Sequence, residues 1–297
     1  MPENRWAGSN SVKSVLRVSG EDDGSMPPKT MGARVRAARA FAVVSAFFWI
    51  FPFFGLIDLT VPFLETPGFY DAYLLETGWG VMYTFLVGAA FVSLAVRPGM
   101  VMPVVQVLLG VGCLAVTAVA SASWVQLVPA MLLAGNAYAF LVLAGNEWRL
   151  SADWYRRSPD PLVGVVAGVL VPLAAWFAVD MVLGFREGRP PMDDDTWFID
   201  HWPTQGALAL SAATVAVASA VAVRASWSGT AVSAGSVAAA AAWFGYWSAT
   251  YPNHAGSAGA AGGMVLIGWA VAFAGVVAWR LARPASPPAH RKAGSSS

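Results

Sequence analysis

The chain has 297 residues, of which 57% are hydrophobic and only 12% charged, with a formal net charge of +1. A soluble globular domain carries about 25% charged residues, so composition argues against an ordinary soluble enzyme. The near-neutral balance also offers nucleic acid no attractive field.

Residues 1–34 are polar, include the acidic stretch Glu21-Asp22-Asp23-Gly24, and read as a disordered cytoplasmic tail. Met26 and Met31 lie just before a basic flank and suggest an overextended start. Residues 35–283 form the membrane domain, in which eight apolar windows follow at 40–57, 78–96, 101–120, 125–145, 162–183, 205–223, 230–250 and 258–279. Each is about 18 to 22 residues long, enough for a helix rising roughly 1.5 Å per residue to cross a hydrocarbon core of about 30 Å. The apolar character is continuous rather than alternating, which specifies helices instead of barrel strands. The expected fold is therefore an all-α, polytopic bundle of eight transmembrane helices. Residues 284–297 read as a short flexible cytoplasmic tail.

The first window carries Phe47, Phe48, Trp49, Phe51, Phe53 and Phe54, expected to face lipid and neighbouring helices. Trp79, Trp124 and Trp202 fall at the ends of spans on one side, and Trp148, Trp227 and Trp279 at ends on the other, as interfacial aromatic belts require. The seventh window is rich in Ala, Ser and Gly, so it is expected in the bundle interior, where small residues let backbones approach. The pairs Gly164 with Gly168 and Gly259 with Gly263 have the same helix-packing spacing.

Loop charge sets the orientation. All but two of the 18 basic residues lie in the terminal tails and the even-numbered connections, while Arg186 and Arg189 alone fall in the odd-numbered ones. The odd-numbered connections instead collect Asp58, Glu65, Asp71, Glu76, Glu187, Asp193, Asp194, Asp195 and Asp200. The positive-inside rule then places both termini in the cytoplasm. Dropping the weak seventh window would strand Arg224 or the C-terminal basic cluster on the wrong side. Scarce Lys and Ile beside abundant Ala, Val, Gly and Arg suggest a bacterial source, and hence the plasma membrane.

A parallel four-plus-four repeat is a further expectation. Pro52 with Asp58 and Pro172 with Asp180 punctuate the first and fifth spans, and residues 77–97 and 204–224 share length and the ending Ala-Val-Arg. An even number of spans per unit preserves orientation. Abundant Ala and Val and the topological need for inner-end arginines explain much of this similarity without duplication.

Of the 18 basic and 17 acidic residues, Asp180 alone falls inside a window. It lies roughly 6 Å from the end of its span, shallow enough for its carboxylate to reach the interface. Asp200-His201-Trp202-Pro203 opens the sixth span, with Pro203 suited to a first helical turn and Asp200 to its positive end. His254 lies in the turn before the eighth span, on the same face. Asp58, Glu76, Asp180, Asp200, His201 and His254 are thus the candidate solute- or proton-binding residues. Gln106, Gln126 and Asn136 are intramembrane polar groups, Asn136 being expected to bond another helix, with Gln106 its nearest partner.

The single cysteine, Cys113, cannot form an intramolecular disulfide, and neither a Cys/His cluster nor a ligand-spaced histidine pair suggests a metal. The acidic run at 193–195 lacks the EF-hand pattern. GxSxG, HExxH, P-loop and Rossmann signatures are absent, which favours a non-enzyme without a cofactor. Three functions stay open. The first is binding or transport of a small solute or ion through an outward-facing polar vestibule. The second is an accessory subunit docking a membrane partner or a second copy, and the third is a redox protein or enzyme using His201 and His254. The lipid bilayer is the one partner common to all three.

Overall fold

The structure, a computed structural model, describes residues 28–63, 73–145, 158–190 and 200–283. The expectations placed on residues 1–27 and 284–297, on Trp148, and on the loop charges Glu65, Asp71 and Asp193 to Asp195 lie outside them. Every regular element described is helical: α1 (Pro28–Ile50), α2 (Gly55–Thr60), α3 (Tyr73–Val81), α4 (Ala89–Val96), α5 (Val101–Ser121), α6 (Leu127–Ala144), α7 (Pro161–Arg186), α8 (His201–Ala225), α9 (Thr230–Thr250) and α10 (Gly259–Ala282). A 3₁₀ turn, Val61–Phe63, extends α2, and a π-helical segment, Met82–Gly88, joins α3 to α4 without a break.

Six of these helical stretches are long and apolar enough to cross a membrane: Leu74–Val96, α5, α6, α7, α8 and α10. The bent pair α1–α2 would make a seventh. Helix α9 is equally long but falls short in hydropathy because of its Ser, Gly and aromatic content. The protein is accordingly a multi-pass helical membrane bundle.

Local chemistry accounts for the helix ends. Asp160 caps α7 by accepting from the Leu162 and Val163 amides, each at 3.2 Å, and Pro161 occupies the first turn. Gly229 precedes α9 at φ 84°, a conformation that only glycine adopts freely, and Pro103 packs where its β-carbon would stand. The Met102 amide donates to the Ser228 carbonyl at 3.1 Å, which ties the start of α5 to the turn between α8 and α9.

The first apolar window is not one straight helix. Helix α1 stops at Ile50, Pro52 interrupts the ladder, Phe54 turns through φ 63°, and α2 leaves at 48°. A proline lacks the amide needed to continue the helix, which explains the break. Pro172, its counterpart in the proposed repeat, sits inside an uninterrupted 26-residue α7.

Helix α7 packs along α8, and α9 along α10. Within the first half, α1 lies against α4 and α6, and α5 against α6. The halves meet where α5 contacts α8 and where the helix made of α3, the π segment and α4 contacts α9. Backbones also approach closely at α9–α10, where a β-carbon on Gly263 would strike the Gly245 carbonyl and one on Gly245 would meet the Gly263 carbonyl. Gly168 and Gly259, by contrast, face open space.

Candidate functional site: a buried acidic cluster at one end of the bundle

The site begins with three glycines. A β-carbon at Gly80 would collide with the Leu59 backbone nitrogen, one at Gly78 with the Gln205 carboxamide, and one at Gly55 would crowd the Trp49 carbonyl. Glycine at these positions lets α2 meet α3 and the end of α1 at backbone distance and lets the Gln205 side chain of α8 lie against α3. Consequently Asp58 on α2 and Glu76 on α3 are drawn into the bundle, 8% and 7% exposed. Glu76 lies one helical turn before Gly80, which touches Asp58 and Leu59, so both carboxyls belong to the α2–α3 contact. No described Arg or Lys lies within ion-pairing distance of either.

Aromatic rings floor the cluster. Trp49 stacks on Tyr83 with centroids 5.2 Å apart, Phe53 stacks on Trp79 at 5.2 Å, and the Trp79 indole N–H donates to the Phe53 carbonyl at 2.9 Å. His201 lies 5.5 Å from Trp79, ring to ring. Tyr83 is fully buried, and its hydroxyl finds no partner among the described residues; nor does that of Thr84. Both belong to the π segment, a rare geometry that is frequent at functional sites.

Beside this lies a polar tie between α8 and the turn after α5. Asp200 is the N-cap residue of α8, yet its carboxylate does not cap the helix and accepts instead from the Ser123 hydroxyl. Thr204 donates to Gln126 Oε1 at 2.9 Å, and Gln205 Nε2 donates to the Gly256 carbonyl. All six of these residues except Gly256 are under 4% exposed.

The structure therefore gathers Asp58, Glu76, Asp200, His201 and Gln126 at one end of the bundle and leaves the other candidates apart. Asp180 is on the surface of α7, paired with Arg189 at 2.8 Å, both side chains about two-fifths exposed. His254 belongs to a separate stack, 5.0 Å from Tyr251, which lies parallel to Trp247. Asn136 bonds the Leu132 carbonyl of its own helix rather than a second helix. Gln106 donates instead to the Leu86 carbonyl at 2.6 Å and to Ser236 at 3.1 Å.

Trp79 and Trp202 correct the aromatic-belt reading. Both are about 95% buried, Trp202 filling the space left by Gly184, whereas Trp124 is 81% exposed and Trp279 carries Arg283 over its ring at 3.6 Å. Tryptophan at a span end has two low-energy places, the interface and a glycine notch, and sequence position does not distinguish them.

Sequence reasoning passed over Asp160 altogether. It is fully buried at the opposite end of the bundle, where it receives the Arg280 guanidinium as well as the two α7 amides. The dipeptide Asp160-Pro161 is a capping signature that could have found it. A cleft of about 240 Å³ lies among α7, α8, α9 and α10, but its walls are apolar, among them Leu173, Trp176, Phe244 and Val265, and of the cluster it touches Gln205 alone. Among the described residues no three His, Cys, Asp or Glu side chains gather as a metal site would require. No protein-family model, curated protein or solved structure matches the chain.

Proposed function

We propose that this protein binds a proton or a small cation at the Asp58–Glu76 pair and moves it across the membrane, alone or together with a small solute. The observation that carries this reading is the pair itself: two carboxyls buried at one helix contact in a membrane bundle, with no described Arg or Lys beside them. A carboxylate buried without an opposite charge is costly wherever it lies, because it loses its hydration. Two such groups at one helix contact call for a proton or a bound cation to offset that cost. The bend between α1 and α2 supports the same reading, because a broken helix can shift the Asp58 segment without disturbing the rest of the bundle.

The reading includes eight spans with both termini on the cytoplasmic side of a bacterial plasma membrane, α9 being the interior span. It also includes a four-plus-four repeat, supported by the way the contact of α5 with α8 answers that of the α3–α4 helix with α9. The test is flux in reconstituted vesicles containing a pH-sensitive or a sodium-sensitive dye, under an imposed potential. Asp58→Asn and Glu76→Gln should each lower proton or sodium flux at least about tenfold, equivalent to roughly 1.4 kcal/mol. An Asp180→Asn variant should match the parent. Equal flux through all four proteins, or none above empty vesicles, overturns the proposal.

A second reading, a subunit of a larger membrane assembly, has one observation behind it. Gly268 and Gly275 lie one heptad apart on α10 with nothing within 4 Å of their β-carbon positions, a surface suited to another helix. Native mass spectrometry in mild detergent separates the two readings by whether a partner chain or second copy is retained.

A further inference from the structure

Helices α5, α8 and α9 contact one another pairwise along the centre of the bundle. Five buried side chains on this seam or at its end keep a polar atom without a nitrogen or oxygen partner among the described residues: Gln126 Nε2, Gln205 Oε1, Ser211 Oγ, which has only the Cys113 sulfur beside it, Gln106 Oε1 and Ser233 Oγ. Each of the five residues is no more than 2% exposed.

Their order along the axis is the informative feature. Gln126 lies at the end marked by the Ser123–Asp200 bond, and Gln205 is roughly 6 Å into α8, with Ser211 roughly 15 Å in. From the opposite end, marked by the Met102–Ser228 bond, Ser233 is roughly 5 Å into α9 and Gln106 roughly 7 Å into α5. Between these levels the buried residues of α8 and α9 are chiefly alanines, Ala216 among them, while Ala212, Ala240 and Ala241 line the apolar cleft. Gln205 Oε1 abuts Gly78 on the face of α3 turned to α8, while Gly80 and Glu76 lie on the face turned to α2, so the seam meets α3 at the level of the acidic cluster.

Buried polar atoms are satisfied in nearly all proteins, by protein or by ordered water, and leaving one unmade costs about 1–3 kcal/mol. A single orphan has many explanations. Five at successive depths on one seam have a common one.

We propose that the α5–α8–α9 seam holds a file of water molecules, bonded in turn to Gln126, Gln205, Ser211, Gln106 and Ser233, that connects the Asp58–Glu76 cluster with the opposite end of the bundle. This deepens the proton-binding reading by naming its route. It rests on that reading for its use, not for the presence of the waters.

Cys113 is the natural reporter. It is the single cysteine of the chain and stands midway along the seam, its sulfur 3.7 Å from Thr214 Oγ1 and beside Ser211. The experiment transfers the intact protein, in lipid, into D₂O and follows its S–H stretch in the infrared as it is replaced by S–D. The band should disappear far ahead of the protected amides of the bundle. Ser211→Val and Gln205→Leu should slow its loss about five- to tenfold, as removal of roughly one net hydrogen bond per variant requires. Ser219→Ala, whose hydroxyl is already bonded to the Val215 carbonyl at 2.8 Å, should exchange like the parent. An S–H band that persists as long as the slowest amides overturns the proposal, as does parental exchange in both seam variants. Asp58→Asn leaves the seam intact, so it should lower flux at least about tenfold while preserving thiol exchange. Rapid, variant-sensitive exchange without any flux in the parent protein would refute the transport reading and leave the hydrated seam standing.

Discussion

Asp160 shows how one residue can join sequence logic to tertiary structure. As a helix cap it is written in the Asp-Pro dipeptide, but its second partner, Arg280, is 120 positions away. Burial of Asp160 pushes its carboxyl upward, yet the Val163 amide, the Arg280 guanidinium and the Leu162 amide outweigh that and hold it below the ordinary carboxylate value. The folded protein therefore favours the ionised form. The stabilisation is fully present above the unfolded value, roughly 3.9, and is lost as pH falls through the depressed folded value. The thermal midpoint should thus fall on acidification below about pH 4, and an Asp160→Asn variant should lose part of that slope. Asp160→Ala should cost about 2–4 kcal/mol, from a lost cap and an Arg280 left without its partner. Denaturation followed by intrinsic fluorescence checks both.

The same scale explains why the acidic candidates divided as they did. Asp58 and Asp180 occupy corresponding places in the proposed repeat and look alike as sequence. Asp58 is covered because Gly80 lets α2 approach α3 at backbone distance, whereas Asp180 faces outward and meets Arg189. Burial is decided by what packs opposite a residue, and that partner is remote in the chain.

Helices were legible with little error. The windows 101–120 and 230–250 coincide with α5 and α9 to within a residue, because a long apolar run in a membrane has one way to satisfy its backbone. The first window is the exception, and its bend had a visible cause in Pro52. What the window could not show is that α2 would fold back onto α3. Gly80→Ala tests this docking directly: the added methyl must displace Leu59 and with it Asp58. It should lower the thermal midpoint and shift Trp79 emission to the red, since loosening α2 opens the aromatic floor to water. Gly112→Ala, where no atom lies within 4 Å, should be neutral within about 0.5 kcal/mol.

For the molecule as a whole, the weak link is α9. Its composition fails a hydropathy test that six other helical stretches pass, yet more than half of its residues are buried against the rest of the bundle. A helix enclosed by protein needs less apolar surface than one facing lipid, so low hydropathy is consistent with an interior span. The topology makes a sharp prediction. A reporter that matures only in the cytoplasm, fused after Ser228, should be active, and fused after Pro252 should be silent. Equal signals at the two points would remove α9 as a span and reverse the placement of the C-terminus.

The amino-acid sequence by itself determined the class of this protein, an all-helical membrane bundle, and the approximate ends of its long apolar helices. These follow from a one-dimensional quantity, run length, which the bilayer reads directly. Only the tertiary structure decided which polar residues meet. Asp58 with Glu76, Ser123 with Asp200, Thr204 with Gln126 and Asp160 with Arg280 are brought together by glycine contacts and helix pairing between distant segments. No local pattern encodes such meetings, because each depends on the packing of two faces that the chain specifies separately.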